Sequence, residues 1–343
     1  MKLRFVFFGL LLITLSCAQS SKNIDSDETL KLWPEIEPFK TGYLKVSDIH
    51  EIYYELSGNP DGQPFFAIHG GPGGSSSASK RRLFNPDKFL IVQYDQRGAG
   101  KSRPISELRQ NTTQSLVQDI EQLRKHLDLG KILIFGSSWG STLALAYAET
   151  FPESVKGIVL LAVYLATQDE DEYIYQHSSM FYPDAHDEML SAIPNFEQNL
   201  TPSYLFETLQ KADSLKRRQY SKAWAKYEWQ LAMYGGRKEK EVIEKVFEKL
   251  NPYGFTLIES FYLSNGCFLK EGQLLRNTDR IQNIRIIIVN GRYDMICPPI
   301  TAYRLHKKLP KSKLILVEEA GHLRRDRPIE IALLKSLMEF EQR

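Results

Sequence analysis

Short apolar runs that alternate with helical patterns are the feature of this sequence that most constrains its fold. Helical periodicity covers 116–127 and 142–150, and these segments lie between short apolar runs. Those runs are continuously apolar, which is typical of strands buried on both faces: 65–68, 90–94, 132–135 and 158–161. The alternation predicts a mostly parallel sheet flanked by helices. An earlier hairpin is predicted over 43–46 and 51–56.

The alternation stops after residue 165, which indicates an insertion. The next hundred or so residues are helical, charged and aromatic, with no convincing strand. Strand-like runs resume at 284–289 and 314–317 and precede a last helix over about 328–340. The predicted segments are, in chain order, the first part of the α/β core (41–166), an inserted α-helical cap (167–277) and the second part of the core (278–343).

The first residues indicate a secretion leader rather than a part of the fold. Lys2 and Arg4 precede an apolar run over 5–15. That run is shorter than the roughly 20 residues that span a bilayer, but it suits a secretory signal. We predict a leader over 1–17, followed by a tether and lead-in segment over 18–40.

The end of this leader suggests a lipid anchor. The Leu-Ser-Cys sequence that ends at Cys17 resembles a bacterial lipoprotein signal, in which the cysteine becomes lipidated. Thr14 stands where such signals usually have an aliphatic residue, so ordinary cleavage after Ala18 is the alternative. We expect an exported protein that is lipid-anchored through Cys17 at a membrane of the bacterial cell envelope.

Charge and cysteine content exclude several classes of protein. Lys and Arg number 44 against 42 Asp and Glu, a net charge of +2, which is too even for a general nucleic-acid surface. Basic clusters such as 80–82 are interpreted as solvated faces. Besides Cys17 the chain has only Cys267 and Cys297, without zinc-type spacing, so no structural metal and no cofactor are expected.

A candidate nucleophile lies at a predicted strand-to-helix turn. The sequence Gly-Ser-Ser-Trp-Gly over 136–140 follows a predicted strand and opens a helix rich in alanine and leucine. A sharp turn of this kind requires small residues around an exposed hydroxyl. Ser138 is therefore the predicted nucleophile.

A serine nucleophile needs a base, and the base needs an orienting carboxylate. His322 follows the last predicted strand, where a loop can bring it above the sheet. Asp294 follows the strand over 284–289 at its carboxyl end. The order serine, acid, histidine is that of α/β-hydrolases. Asp95 precedes the nucleophile, so we expect it to close a turn.

An oxyanion formed at the nucleophile needs two preorganised N–H donors. One is expected from the amide of Trp139. The other is expected from the glycine-rich loop over 69–74, where the backbone can approach a substrate closely. No Gly-Lys-Ser/Thr follows this loop, which argues against phosphate binding. His69 is expected to support the loop.

With these pieces in place, the chain resembles the proline iminopeptidase (prolyl aminopeptidase) family of α/β-hydrolases. The resemblance implies an α/β-hydrolase fold in which Ser138, Asp294 and His322 form the triad. It also implies that Gly71 and Trp139 are the oxyanion donors. The matching stretches occur in family order and cover most of the chain: 69–73, 95–102, 136–145, 291–298 and 321–322.

Two glutamates of the predicted cap lie on apolar helix faces. Glu228 interrupts an apolar stripe that includes Trp224 and Leu231, and Glu259 lies among aromatic and aliphatic residues. A carboxylate in such a place needs a partner. The family has Trp-x-x-Trp-Glu and Ile-Glu-x-x-Tyr motifs in its cap, and both glutamates match them. The resemblance therefore implies that they bind the α-ammonium group of a peptide.

The departures from the family concern the pocket for the first residue. Tyr227 replaces a tryptophan, and Leu263 replaces an aromatic residue of the proline pocket, whereas Tyr164 retains another and is a predicted substrate contact. We predict a serine aminopeptidase that releases proline or another small or apolar residue from short peptides with a free N-terminus, through an acyl-enzyme. The alternatives are an esterase or amidase for a neutral small substrate, and a non-catalytic surface binding protein.

Overall fold

The computed structural model describes residues 29–235 and 252–341. The predicted leader, the lipidation site Cys17 and the alternative cleavage site Ala18 lie outside these ranges, as do 236–251 of the predicted cap. All of the elements below belong to the unit that begins at Leu32. In the two described ranges, no helix combines the length and the apolar character needed to cross a bilayer.

Eight strands of the described chain form one sheet: β1 (Lys40–Lys45), β2 (Glu51–Gly58), β3 (Gln63–Ile68), β4 (Phe89–Tyr94), β5 (Ile132–Ser138), β6 (Val155–Val163), β7 (Arg285–Gly291) and β8 (Lys313–Val317). Their order is β1-β2-β4-β3-β5-β6-β7-β8. The pairs β1–β2 and β2–β4 are antiparallel, and all others are parallel. The predicted mostly parallel sheet is confirmed.

The central strands form because their side chains are buried on both faces. Every residue of β4 is buried, and β5 is buried from Ile132 to Gly136. Such strands read as continuous apolar runs rather than as alternating patterns. The early hairpin begins three residues earlier than predicted. The first residues of β1 are exposed and lack the apolar pattern on which the prediction depended.

The α-helices of the described residues are α1 (Ala78–Arg81), α2 (Thr113–His126), α3 (Trp139–Thr150), α4 (Gln168–Glu172), α5 (Pro183–Ala192), α6 (Pro202–Lys211), α7 (Ser214–Ala232), α8 (Pro252–Ser264), α9 (Gln273–Arg276), α10 (Pro299–Lys308) and α11 (Arg327–Met338). Helix α3 packs on β5 and β6, whereas α10 and α11 pack on β6, β7 and β8. The parallel strands are therefore connected through helices, as parallel pairing requires.

Helices α4 to α9 lie in sequence between β6 and β7, and the described residues of this region contain no strand. Helix α8 packs against α6 and α7. Trp224 of α7 stacks on Tyr175 with ring centroids 4.5 Å apart, and both rings are fully buried. These aromatic residues belong to the same apolar cluster as the sheet. Burial of such rings holds the helices over the sheet.

The basic cluster 80–82 is not a solvated face, and that interpretation is wrong. Arg81 is buried and forms an ion pair with Glu55 of β2 at 3.0 Å. Its guanidinium also donates to the carbonyl oxygen of Ile36 at 2.7 Å. A buried carboxylate in a sheet needs a charged partner, and Arg81 provides it. Lys80 lines a cavity that is described below.

Candidate active site

Ser138 lies at the sharp turn between β5 and α3. Its backbone has φ 55° and ψ −128°, a strained conformation for a residue with a side chain. A Cβ atom at Gly136 would lie 2.2 Å from the carbonyl oxygen of Gly140, so glycine is required there. The motif therefore folds as the predicted nucleophile turn.

Asp294 and His322 form the second part of the site. The Nδ1–H of His322 donates to both carboxylate oxygens of Asp294 at 3.0 Å. The Asp294 carboxylate also accepts the amides of Ile296 and Cys297, at 2.9 and 2.8 Å. These bonds fix the carboxylate and leave the Nε2 of His322 for proton transfer, as a serine nucleophile requires.

The pKa of His322 reflects two opposing effects. Burial lowers it, but the charge of Asp294 and the hydrogen bond to it outweigh burial, so that the net pKa is raised above its usual value. The arrangement thus stabilises the imidazolium that forms when His322 takes a proton.

The loops that carry Asp294 and His322 contact each other directly. A Cβ atom at Gly291 would lie 2.1 Å from the carbonyl oxygen of Gly321. The amide of Gly321 donates to the carboxylate of Asp326 at 2.8 Å. Sequence reasoning missed Asp326, although its position directly before the last helix is a signal for a capping residue.

Ser138 and His322 line the same cavity, which has a volume of about 400 Å³. The structure thus brings the three predicted triad residues to one site, with the Asp294–His322 link formed. The buried residue Cys297 also lines this cavity. A hydrogen bond from Ser138 to His322, and the catalytic roles of all three residues, stay predictions.

The glycine-rich loop after β3 is held in place by His69. The ring accepts the amide of Gln96 at Nε2 (3.0 Å), so its Nδ1–H donates to the carbonyl of Gly70 at 2.8 Å. Burial lowers the pKa of His69 to about 4, which keeps the ring neutral. The Gln96 side chain also accepts the indole N–H of Trp139 at 2.8 Å. These contacts agree with the supporting role predicted for His69.

Gly71 and Trp139 lie on the two sides of the turn at Ser138. A Cβ atom at Gly70 would be 3.0 Å from the carbonyl oxygen of Ser137, so the loop runs directly along the turn. Gly71 has φ 121°, which favours glycine. Trp139 is the first residue of α3, where backbone amides have no partner within the helix. Their action as oxyanion donors stays a prediction.

Asp95 ties the neighbouring loops together. Its carboxylate accepts the amide of Ser76 at 2.6 Å and that of Lys101 at 2.7 Å. The Ser102 hydroxyl donates to its carbonyl oxygen at 2.6 Å. Asp95 thus closes the turn after β4, as predicted, and also fixes the backbone at Ser76, just after the glycine loop.

Glu228 of α7 and Glu259 of α8 meet on the wall of the same cavity. The indole N–H of Trp224 donates to Glu259 at 2.9 Å, and the charge of Glu228 acts on the same carboxyl group. Burial raises the pKa of Glu228 to about 7. Burial and then the charge of Glu228 raise the pKa of Glu259 well above its usual value. An acidic pair with one buried and one half-buried member favours a cationic partner.

Tyr164 lines the cavity together with Leu263. Its hydroxyl donates to Asp171 at 2.5 Å and lies 3.7 Å from the sulfur of Cys267. With the hydroxyl engaged there, Tyr164 offers its ring to the cavity. The predicted substrate contact is thus in position as an apolar wall, and its binding role stays a prediction.

Both described cysteines are free and buried. Burial raises the pKa of Cys267 and of Cys297 well above its usual value, so neither is a thiolate at neutral pH. Within the described residues, no cluster of three or more His, Cys, Asp or Glu side chains is arranged to hold a metal ion.

Two cationic residues of the cavity wall were missed by sequence reasoning, Lys80 and Arg324. Lys80 was assigned to a solvated face, and Arg324 was not considered. No local signal distinguishes either from a surface cation, since only the fold brings these two segments to one cavity.

Fold and site together define this chain as an α/β hydrolase. The family described as alpha/beta hydrolase fold matches residues 63–324. A probable proline iminopeptidase of Leptolyngbya boryana is 41% identical over 90% of this chain and 97% of its own length. A proline iminopeptidase of Arabidopsis thaliana is 40% identical over 93% of this chain and 87% of its own length. The chain therefore belongs to the proline iminopeptidase family, which confirms the resemblance.

Solved structures agree with the fold. A proline iminopeptidase-related protein from Thermus thermophilus has a TM-score of 0.59 at 21% identity, covering 87% of this chain and 96% of its own. An esterase from a Rhodococcus species has a TM-score of 0.60 at 16% identity, covering 88% of this chain and 98% of its own. At these identities the likeness concerns the fold alone.

Proposed function

We propose that this protein is a serine aminopeptidase that releases an N-terminal residue from short peptides through an acyl-enzyme. The observation that carries the proposal is the acidic pair Glu228–Glu259 on the wall of the cavity that also contains Ser138 and His322. An esterase for a neutral substrate has no use for a buried carboxyl group at Glu259 and a half-buried one at Glu228, which destabilise the fold unless a cation binds them.

The geometry supports a two-step reaction. Ser138 attacks the carbonyl carbon of the first residue while His322 takes the hydroxyl proton at Nε2. The amides of Gly71 and Trp139 bind the oxyanion of the tetrahedral intermediate. His322 then gives its proton to the leaving amine, and an ester of Ser138 remains. Water deprotonated by His322 hydrolyses this ester and releases the free amino acid.

The acidic pair enforces removal of one residue only. An α-ammonium bound by Glu228 and Glu259 sets the distance from the substrate's N-terminus to Ser138. A blocked N-terminus brings no positive charge to these carboxyl groups and leaves them unpaired. Around the first side chain, Tyr164, Leu263 and Ile174 provide apolar walls, which suit proline or another small apolar residue.

A panel of aminoacyl arylamides tests the proposal. Each arylamide is assayed with a free and with an N-acetylated amino group, and the first residue is varied among proline, alanine and leucine. We expect hydrolysis of the free amines and little of the acetylated forms. Equal cleavage of both forms would contradict the aminopeptidase assignment and favour a general amidase or esterase.

Labelling by a fluorophosphonate probe tests the nucleophile separately. Wild-type protein and the exposed-surface variant Ser191→Ala should both be labelled, whereas Ser138→Ala should not. A wild-type protein that resists the probe would support the non-catalytic binding protein instead.

We further propose that the protein is exported and anchored by a lipid on Cys17. The support is the order of charged start, apolar run and Leu-Ser-Cys in the first 17 residues. Expressed in a bacterium, wild-type protein should incorporate labelled palmitate and fractionate with membranes, and Cys17→Ser should do neither. A mature N-terminus directly after Ala18 would show ordinary cleavage and refute the anchor.

A further inference from the structure

The active-site cavity carries positive as well as negative charge. Lys80, in the short helix α1, and Arg324, two residues after His322, both line it. The two cations come from segments far apart in the chain, and Arg324 donates to the Ser79 hydroxyl at 3.1 Å, which brings it beside α1. The fold therefore collects two positive charges on the wall of one cavity.

These two cations lack a carboxylate partner in the described ranges. Neither forms an ion pair with a described acidic residue. Asp95 attracts Lys80, but its carboxylate already accepts the amides of Ser76 and Lys101. Burial, followed by the charge of Arg324, lowers the pKa of Lys80 to about 8. Two like charges that are partly buried together are stabilised when an anion binds between them.

The cations and the acidic pair belong to different elements of the cavity wall. Lys80 belongs to α1 and Arg324 lies in the loop before α11, whereas Glu228 belongs to α7 and Glu259 to α8. In the described ranges, no ion pair joins either cation to either glutamate. The wall of one cavity therefore carries charges of both signs on separate elements.

A peptide substrate also carries charges of both signs, at its two ends. Its α-ammonium is positive, its scissile carbonyl follows, and a carboxylate on the leaving part is negative. A dipeptide in extended form spans about 7 Å, which is short enough for a 400 Å³ cavity to contain both charges. A longer peptide that has only an amide or a neutral side chain after the scissile bond gains no binding energy from the cations.

We propose that Lys80 and Arg324 form a carboxylate subsite for the leaving part of the substrate. The proposal rests on the aminopeptidase function proposed above, and it names the substrate class as short peptides with a carboxylate after the scissile bond. That carboxylate comes from one of two sources: the C-terminus of a dipeptide, or an acidic side chain on its second residue.

Paired peptides with one common first residue distinguish the sources. Ala-Ala is compared with Ala-Ala-NH₂, and Ala-Glu-NH₂ with Ala-Gln-NH₂. The arylamide of alanine, which has no carboxylate, is the reference. We expect the acid to exceed the amide in kcat/KM by roughly 10- to 100-fold in at least one pair, mainly through KM, as for hydrogen bonds to a charged group.

Substitutions at Lys80 and Arg324 test whether these two residues cause the preference for the acid. Lys80→Gln combined with Arg324→Gln should abolish the acid preference and leave arylamide hydrolysis within about twofold of wild type, since the arylamide has no carboxylate for these cations to bind. Lys80→Arg, which keeps the charge, should retain the preference. Lys88→Gln, an exposed cation directly before β4, is the matched control and should change nothing.

Four results would contradict the subsite, its assignment to these residues or the proposed function. Equal turnover of acids and amides by wild type in both pairs overturns the subsite. A preference that persists in the double variant overturns the assignment to these residues, as does a parallel loss of arylamide hydrolysis in that variant. Failure of wild type to hydrolyse any free-amine arylamide contradicts the proposed function instead, which is a different result.

Discussion

Replacement of Glu228 by glutamine, compared with the same replacement at Glu259, tests which member of the acidic pair carries the negative charge. Burial raises the pKa of Glu228 to about 7, and burial followed by the charge of Glu228 raises the pKa of Glu259 well above its usual value. We predict that at pH 7.5 the negative charge of the pair resides mainly on Glu228 and the proton on Glu259. Glutamine resembles a protonated glutamate, so the two substitutions differ in their effect.

The magnitude follows from this assignment. Glu228→Gln removes a charge-assisted hydrogen bond to the ammonium, worth about 1.5–3 kcal/mol, or about 10- to 150-fold in kcat/KM. Glu259→Gln keeps a neutral group that can accept the indole N–H of Trp224, and we expect a loss of about tenfold or less. In Glu228→Gln, burial of Glu259 remains and still opposes its ionisation.

The assay measures kcat/KM at pH 7.5 on a free aminoacyl arylamide and on its des-amino analogue, which has no charge to bind. The loss should appear with the free amine and be absent with the analogue. Glu207→Gln, an exposed glutamate of α6, is the matched control. A larger loss in Glu259→Gln than in Glu228→Gln would refute the assignment of charge, and an equal loss on the analogue would refute ammonium binding by the pair.

Three further predictions follow from the site. Asp294→Asn should lower kcat about 10⁴-fold without unfolding the protein, because it favours the wrong tautomer of the histidine; normal kcat with intact circular dichroism would contradict this. Gly136→Ala should lower the free energy of unfolding, measured by urea titration, by about 1–3 kcal/mol, because the added methyl group would lie 2.2 Å from a backbone oxygen. The control Gly130→Ala should not destabilise the protein, because no atom lies within 4 Å of the added methyl group. Because the pKa of Glu228 is raised, the folded protein binds this proton more tightly than the unfolded chain does. The free energy of unfolding should therefore fall as pH rises from about 4.5 to about 7. A thermal unfolding series should show a smaller fall when Glu228 and Glu259 are both glutamine, and an equal fall would contradict the raised pKa.

The sequence predicted those features that depend on neighbours in the chain. Strands buried on both faces, such as β4, are continuous apolar runs wherever they occur. The turn at Ser138 needs small residues at fixed spacing, because a side chain at Gly136 has no space there. Both signals are local and steric, so they can be read without knowledge of the fold.

Contacts between distant segments were decided by the tertiary structure. Glu228 and Glu259 shift each other's pKa because α7 and α8 pack together, which no single helix pattern reveals. Arg81 is buried because Glu55 of the neighbouring strand needs its charge. Lys80 and Arg324 look like ordinary surface cations in the sequence, and only the fold brings these two distant segments to one cavity. The environment of a charge depends on three-dimensional neighbours, so a linear pattern cannot specify it.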